Sequence, residues 1–259
     1  MRWMAVFAMV LGCAVQVQAE LHTELVDYRH GEAVLEGYLA YDSALDHPVP
    51  GVLVVHEWKG LNEYAKRRAR ELAELGYVAF AIDMYGKGIV AADHAEAGRL
   101  SGIYRSDRRL MRDRALAGLK VLTSQPLVDK TRVAAIGYCF GGTTVLELAR
   151  DGADLKAVVS FHGGLGTPHP DDARQIKGKV LVLQGANDTF TLSELPAFKE
   201  EMAKAGVDYR VIEYQGAVHS FTVPEAGNDP STGMAYNADA DRKSLVAMRH
   251  LFEEVFGTS

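Results

Sequence analysis

The sequence predicts an α/β fold in which helices cover both faces of a mostly parallel central sheet. Three observations carry this. Short continuous apolar runs such as Val52-Leu53-Val54-Val55 recur along the chain, as expected of strands buried on both faces. Between them lie longer stretches whose apolar residues are three and four apart, the period of an amphipathic helix. The two patterns alternate, which places helices over both sides of a parallel sheet. With 259 residues, one domain of this type is favoured over two.

The N-terminus stands apart from that pattern. Arg2 precedes an almost unbroken apolar run over 4–15, and Val17-Gln18-Ala19 supplies small or modest residues for a cleavage site. This is the pattern of a secretory signal, too short for a stable membrane span. Residues 1–19 are therefore expected to be a leader, and 20–259 a single exported domain, periplasmic in location. Val10-Leu11-Gly12-Cys13 offers a second reading, a weak lipoprotein box anchored at Cys13. Cleavage after Ala19 leaves Cys139 as the only thiol, so no internal disulfide can form.

The elements follow in order. A strand is expected over 34–39 and another over 52–55. Asn62 is placed to cap a helix carrying Ala65, Ala69, Leu72 and Leu75, which Gly76 ends. A strand over 78–82 follows. Residues 105–123 read as one helix, with Met111, Ala115, Leu119 and Leu122 on its apolar face and Arg105, Arg108, Arg109 and Arg112 on a solvated one. Strands over 132–136, 157–161, 180–183 and 209–213 alternate with helices over 143–150, 193–205 and 238–256. The stretches 163–172 and 224–235 are rich in loop formers.

In such sheets, reactive groups gather beyond the carboxyl ends of the strands. After Val133-Ala134-Ala135-Ile136 comes Gly137-Tyr138-Cys139-Phe140-Gly141-Gly142 and then a helix. This is the G-x-S-x-G nucleophile elbow with cysteine in place of serine. A small buried cysteine in a glycine-rich turn would leave the same local trace. At the head of a helix, however, a thiol is biased towards the thiolate. Asp188 follows the strand over 180–183 and His219 follows the strand over 209–213. Cys139, Asp188 and His219 thus stand in the nucleophile–acid–histidine order of α/β-hydrolases, each after a strand. His219 would take the thiol proton and Asp188 would orient the imidazole. The turn His56-Glu57-Trp58-Lys59-Gly60 follows an earlier strand. The backbone N–H groups of Trp58 and Phe140 are the expected oxyanion donors. Glu57 would then lie near the thiol, placed to hold it at rest or to position the histidine; a solvated loop acid is the plainer alternative.

The elbow, the His-Glu-Trp turn, Ile82-Asp83-Met84-Tyr85-Gly86 and Ala217-Val218-His219-Ser220-Phe221 resemble the dienelactone hydrolase family, from about Leu25 to the C-terminus. The resemblance implies an α/β-hydrolase fold without a cofactor, a Cys139–Asp188–His219 triad and an auxiliary Glu57. It also implies a small-molecule substrate, an ester, lactone or thioester. Lactone-cleaving members hold a substrate carboxylate with two arginines. The matching positions here are Lys87 and Val223, so only Lys87 stays cationic and no planar clamp is available. Lys87 and the nearby Tyr85 are the expected substrate contacts.

Other classes fit less well. A net charge of −6 lacks the footprint of a nucleic-acid binder. His162, His169 and His219 lack the H-E-x-x-H arrangement of a metal hydrolase. The G-x-G-x-x-G dinucleotide loop is absent. A cysteine protease would share the chemistry without needing this elbow. A non-catalytic binding protein on the same fold remains the alternative from another class. A monomer is the expected state.

Overall fold

The apolar runs become strands of one eight-stranded sheet in the computed structural model, which describes residues 20–257. Residues 1–19, read above as a leader, and Cys13 within them lie outside the described residues. The strands are β1 (Leu21–His30), β2 (Ala33–Asp42), β3 (Val49–Val55), β4 (Val78–Ile82), β5 (Val128–Tyr138), β6 (Ala157–Phe161), β7 (Lys179–Gly185) and β8 (Tyr209–Tyr214). Their spatial order is β1-β2-β4-β3-β5-β6-β7-β8. β1 pairs antiparallel with β2, and β2 with β4; every later pairing is parallel. The helices are α1 (Glu63–Glu74), α2 (His94–Ser106), α3 (Arg108–Ser124), α4 (Phe140–Arg150), α5 (Leu195–Ala205) and α6 (Ala238–Phe256).

The period of two along each strand divides the core. On β3, Leu53 and Val55 join Phe80 and Ile82 against Met111, Leu119, Val145 and Phe198 of α3, α4 and α5. Val52 and Val54 face the other way, with Ile136 and Val159, against Leu72 of α1 and Met248 and Phe252 of α6. Strands buried on both faces have no polar side to display, and so their sequences read as unbroken apolar runs.

Several expectations change at the edges. β1 is a ten-residue strand where none was expected. As an edge strand it leaves much of its length half-exposed, and its alternating polar residues hide it. The helix expected over 105–123 is two helices. Asp107 ends α2, and its Oδ1 accepts the Leu110 N–H at 2.9 Å to start α3. The arginine face is only partly solvated. Arg109 is exposed and pairs with Asp113, whereas Arg112 is buried.

Arg112 belongs to an ion network inside the α3–α4–α5 layer. Its Nε donates to Glu147 at 2.9 Å and its Nη1 to Asp172 at 2.6 Å. Glu147 also accepts from Arg150 Nη1 at 3.1 Å, and Glu201 takes a two-bond contact from the same guanidinium at 2.7 and 2.9 Å. Arg150 is fully buried, and its Nη2 also donates to the Leu165 carbonyl at 2.9 Å. The network therefore anchors the loop after β6 to the helices below it.

Candidate active site

The parallel strands end on one edge, and the turns beyond β5, β7 and β8 meet there. Cys139 sits between the end of β5 and the start of α4 with φ 52. That left-handed backbone is unfavourable for an L side chain, by about 1–3 kcal/mol. Tight packing imposes it. A Cβ on Gly137 would lie 2.0 Å from the Gly141 carbonyl oxygen, and one on Gly141 would lie 2.2 Å from that of Val55. Only glycine lets β5, α4 and the end of β3 approach this closely. Phe140 opens α4, where the first amides have no acceptor within the helix.

Asp188, beyond β7, is fully buried. Its Oδ1 accepts the Phe190 N–H at 2.9 Å, and its Oδ2 lies 2.8 Å from His219 Nδ1. The carboxylate thereby sets the tautomer and turns Nε2 to the sulfur, 3.1 Å from Cys139 Sγ. His219 is held in turn by its backbone, which bridges to Gly233 (3.2 Å) and Ala235 (3.1 Å). Burial disfavours the imidazolium. The facing Cys139 sulfur and the Asp188 carboxylate outweigh it and raise the ring's pKa to about 10.

The turn after β3 is fixed from both sides. His56 is buried, its Nδ1 2.5 Å from the Glu57 carbonyl, while its Nε2 accepts the Met84 N–H at 3.2 Å. The Tyr85 hydroxyl donates to the Trp58 carbonyl at 2.9 Å. Among the described residues the Trp58 N–H has no hydrogen-bond acceptor. Glu57 is 6 % exposed, and burial pushes its carboxyl up to about 7 against the opposing pull of His219 and Lys59. It is therefore no solvated loop acid.

A cavity of about 230 Å³ contains Cys139 and His219 and is walled by Trp58, Arg105, Phe190 and Met234. Two expected substrate contacts are not among its walls. Tyr85 spends its hydroxyl on Trp58 and packs its ring on His56 and Phe140, so it supports the turn from behind. Lys87 points away. Gly86 turns the chain with φ 139, and the Lys87 N–H bonds to the Val34 carbonyl of β2. Its ammonium then sits 2.7 Å from Asp27 and 2.9 Å from Glu36. The cation in the cavity wall is instead Arg105, at the end of α2, which makes no ion pair among the described residues. Its place on an arginine-rich stretch read as solvent-facing hid it. Phe190 and Met234 were also missed; each lies in a loop without a periodic pattern, and only proximity to Asp188 pointed to Phe190.

Behind His219 lies a second polar layer. His162, fully buried with φ 40, packs its ring edge-on to His219 at 5.2 Å between centroids. Its Nε2 is 2.8 Å from Thr222 Oγ1, which is also 2.6 Å from the Tyr64 hydroxyl. Arg68 donates to the Thr222 carbonyl at 2.8 Å and to Asp241 at 2.6 Å. Burial, with the positive charges of His219 and Arg68 adding to it, keeps His162 neutral, its pKa well below the usual histidine range. Thus His162 supports the histidine loop and does not line the cavity. Among the described residues no three His, Cys, Asp or Glu side chains converge so as to hold a metal ion.

The fold and this strand-edge constellation define an α/β-hydrolase. The model of the dienelactone hydrolase family matches residues 35–256, and the chain belongs to that family. It is a hydrolase acting on ester bonds. The crystal structure of the dienelactone hydrolase-like promiscuous phosphotriesterase P91, from metagenomic libraries, is 44% identical. It covers 92% of this chain and 99% of its own, with a TM-score of 0.87. A second solved structure, m3DLH, is 42% identical over 91% of this chain and 99% of its own, with a TM-score of 0.88. A Bradyrhizobium protein named "Probable 2-oxo-3-(5-oxofuran-2-ylidene)propanoate lactonase" is 29% identical, covering 72% of this chain and 79% of its own.

Proposed function

We propose that the protein cleaves a small-molecule ester, lactone or thioester through a Cys139–His219–Asp188 triad and an acyl-enzyme. The observation that carries this is the unbroken line from Asp188 Oδ2 through His219 (2.8 Å) to Cys139 Sγ (3.1 Å). His219 Nε2 holds the proton drawn from the Cys139 thiol, and the sulfur bonds to the carbonyl carbon as the thiolate. The Trp58 and Phe140 N–H groups receive the oxyanion. The C–O or C–S bond then breaks, and His219 passes its proton to the departing alcohol or thiol. Water, deprotonated by His219, attacks the acyl-thioester; sulfur leaves and is reprotonated, and the acid is released. Glu57, buried and titrating near neutrality, is placed to adjust the charge beside the histidine. A thiolate leaves more readily than an alkoxide, so activated esters and thioesters are favoured over amides.

Arg2, the apolar run and Val17-Gln18-Ala19 support export and cleavage after Ala19, into the periplasm. The catalytic reading is tested with Cys139→Ala. It should keep the fold and lose turnover of 4-nitrophenyl acetate, since nothing else in the cavity wall supplies a comparable nucleophile. Normal hydrolysis by this variant would leave a binding role for the elbow and move the chemistry elsewhere.

A further inference from the structure

Resting on that reading, we propose that the site is two-lobed and favours open-chain esters or thioesters with a bulky aryl leaving group over compact lactones. The acyl half lies in the cavity beside Cys139. The leaving group lies in a second cavity across Trp58 and Met234.

The volumes motivate this. Cavities that bind small molecules usually span about 300–1,000 Å³. The catalytic cavity, at about 230 Å³, is below that range. The adjoining cavity is about 520 Å³ and shares Trp58 and Met234 as walls. A compact lactone, with acyl carbon and alkoxide in one ring, needs one lobe and leaves the larger empty. An open-chain ester divides at the scissile bond and fits two.

The chemistry assigns the halves. The leaving group receives its proton from His219, so it departs on the histidine side. The second cavity meets that side at Ser220, next to His219, and at Met234, whose backbone bridges to His219 and which borders both cavities. Arg105 and Phe190 wall only the first cavity, Phe190 with its ring centroid 5.5 Å from that of His219. Met234 is a thin, unbranched partition that can move aside.

The lining of the second cavity assigns the class. Trp58 and His94 lie 5.1 Å apart between ring centroids, and Tyr64, Val223 and Ala226 complete an aromatic and apolar surface. Two of its carboxylates are paired, while Glu57 and Lys59, which also line it, make no ion pair among the described residues. Glu63 pairs with Lys66 at 3.7 Å and Arg70 at 3.5 Å, and Glu225 pairs with Arg67 at 3.1 Å. An aryl group is the occupant that stacks on the Trp58, His94 and Tyr64 walls.

Ala226→Phe narrows the second lobe. It should raise KM for 2-naphthyl acetate on the order of tenfold, with a smaller effect on methyl acetate. An equal effect on both esters would overturn the proposal. A second arm needs no turnover. Trp58 is the sole tryptophan of residues 20–259. In the Cys139→Ala protein, 4-nitrophenol should quench Trp58 fluorescence saturably, and adding Ala226→Phe should weaken that binding on the order of tenfold. Quenching indifferent to Ala226→Phe would overturn the assignment. Thr232→Phe, at the exposed rim, replaces Ala226→Phe if that variant does not fold. The two readings fail differently: hydrolysis surviving Cys139→Ala refutes the nucleophile, whereas phenol binding insensitive to the second lobe refutes the lobe.

Discussion

Cys139, His162 and Ser220 are the non-glycine residues with positive φ among the described residues, at 52, 40 and 58. All three lie beyond strand ends at the site, and Ser220 directly follows His219. Strain gathered there is held by the packing around it, and it aims the thiol and the imidazole at each other. Asp188 does its part through one hydrogen bond. Asp188→Asn would keep that contact's shape but allow the wrong histidine tautomer. Its kcat should fall on the order of 10²–10⁴-fold with little change in melting temperature. An unchanged kcat would move the role to another acid. Glu57 makes the residue scale pH-dependent. Its folded pKa, about 7, lies above the ordinary glutamate value of 4.5. The native state therefore holds the proton more tightly than the unfolded chain. That contribution is present below the unfolded pKa and is lost as pH rises through about 7. Measured against Glu57→Gln, wild-type protein should lose roughly 5 °C of melting temperature between about pH 5 and about pH 8. Parallel melting curves across that interval would show that Glu57 is not buried as an acid.

At the scale of elements, the ion network of Arg112, Glu147, Arg150 and Glu201 joins three helices to the loop at Leu165. Such a network is costly to break from one side, because it leaves a buried charge without its partner. Glu201→Ala strands one edge of the fully buried Arg150 guanidinium. Chemical denaturation should show a loss of about 3 kcal/mol or more; a loss under about 0.5 kcal/mol would mean that solvent reaches the pair. Central elements were legible because burial on both faces writes itself as apolar runs. The expected strands over 78–82 and 157–161 and the helix over 238–256 match β4, β6 and α6 residue for residue. Asn62 caps α1 as expected, its Oδ1 accepting from Tyr64 (3.1 Å) and Ala65 (3.4 Å). β1 and α2 were not legible. β1 is half-exposed at an edge, and α2 contains Gly98 and Gly102 and buries only Ala97, Leu100, Ser101 and Tyr104. The buried positions of α2 fall at helical spacing, but only Leu100 and Tyr104 among them are large, so the stripe is faint in the sequence.

For the molecule as a whole, parallel pairing is what turns three distant positions into one site. β5, β7 and β8 run the same way, so the residues following them converge, and the chain order Cys139, Asp188, His219 was enough to anticipate the meeting. What was illegible came from outside that rule. Arg105 reaches the cavity on a helix whose path the strand pattern does not set, and Lys87 is diverted to Asp27 and Glu36 by one glycine turn. Motif spacing locates chemistry on the sheet edge, while cavity walls depend on how loops and flanking helices fold back over it. The central claim is that Cys139 carries the acyl group. With 4-nitrophenyl acetate the leaving group is activated, so acylation outpaces deacylation and the intermediate builds up. Acid-quenched wild-type protein, digested and examined by mass spectrometry, should show one acetyl group on the Cys139 peptide, removable by hydroxylamine as a thioester. An unmodified Cys139 peptide during turnover, or the acetyl group on another side chain, would contradict it.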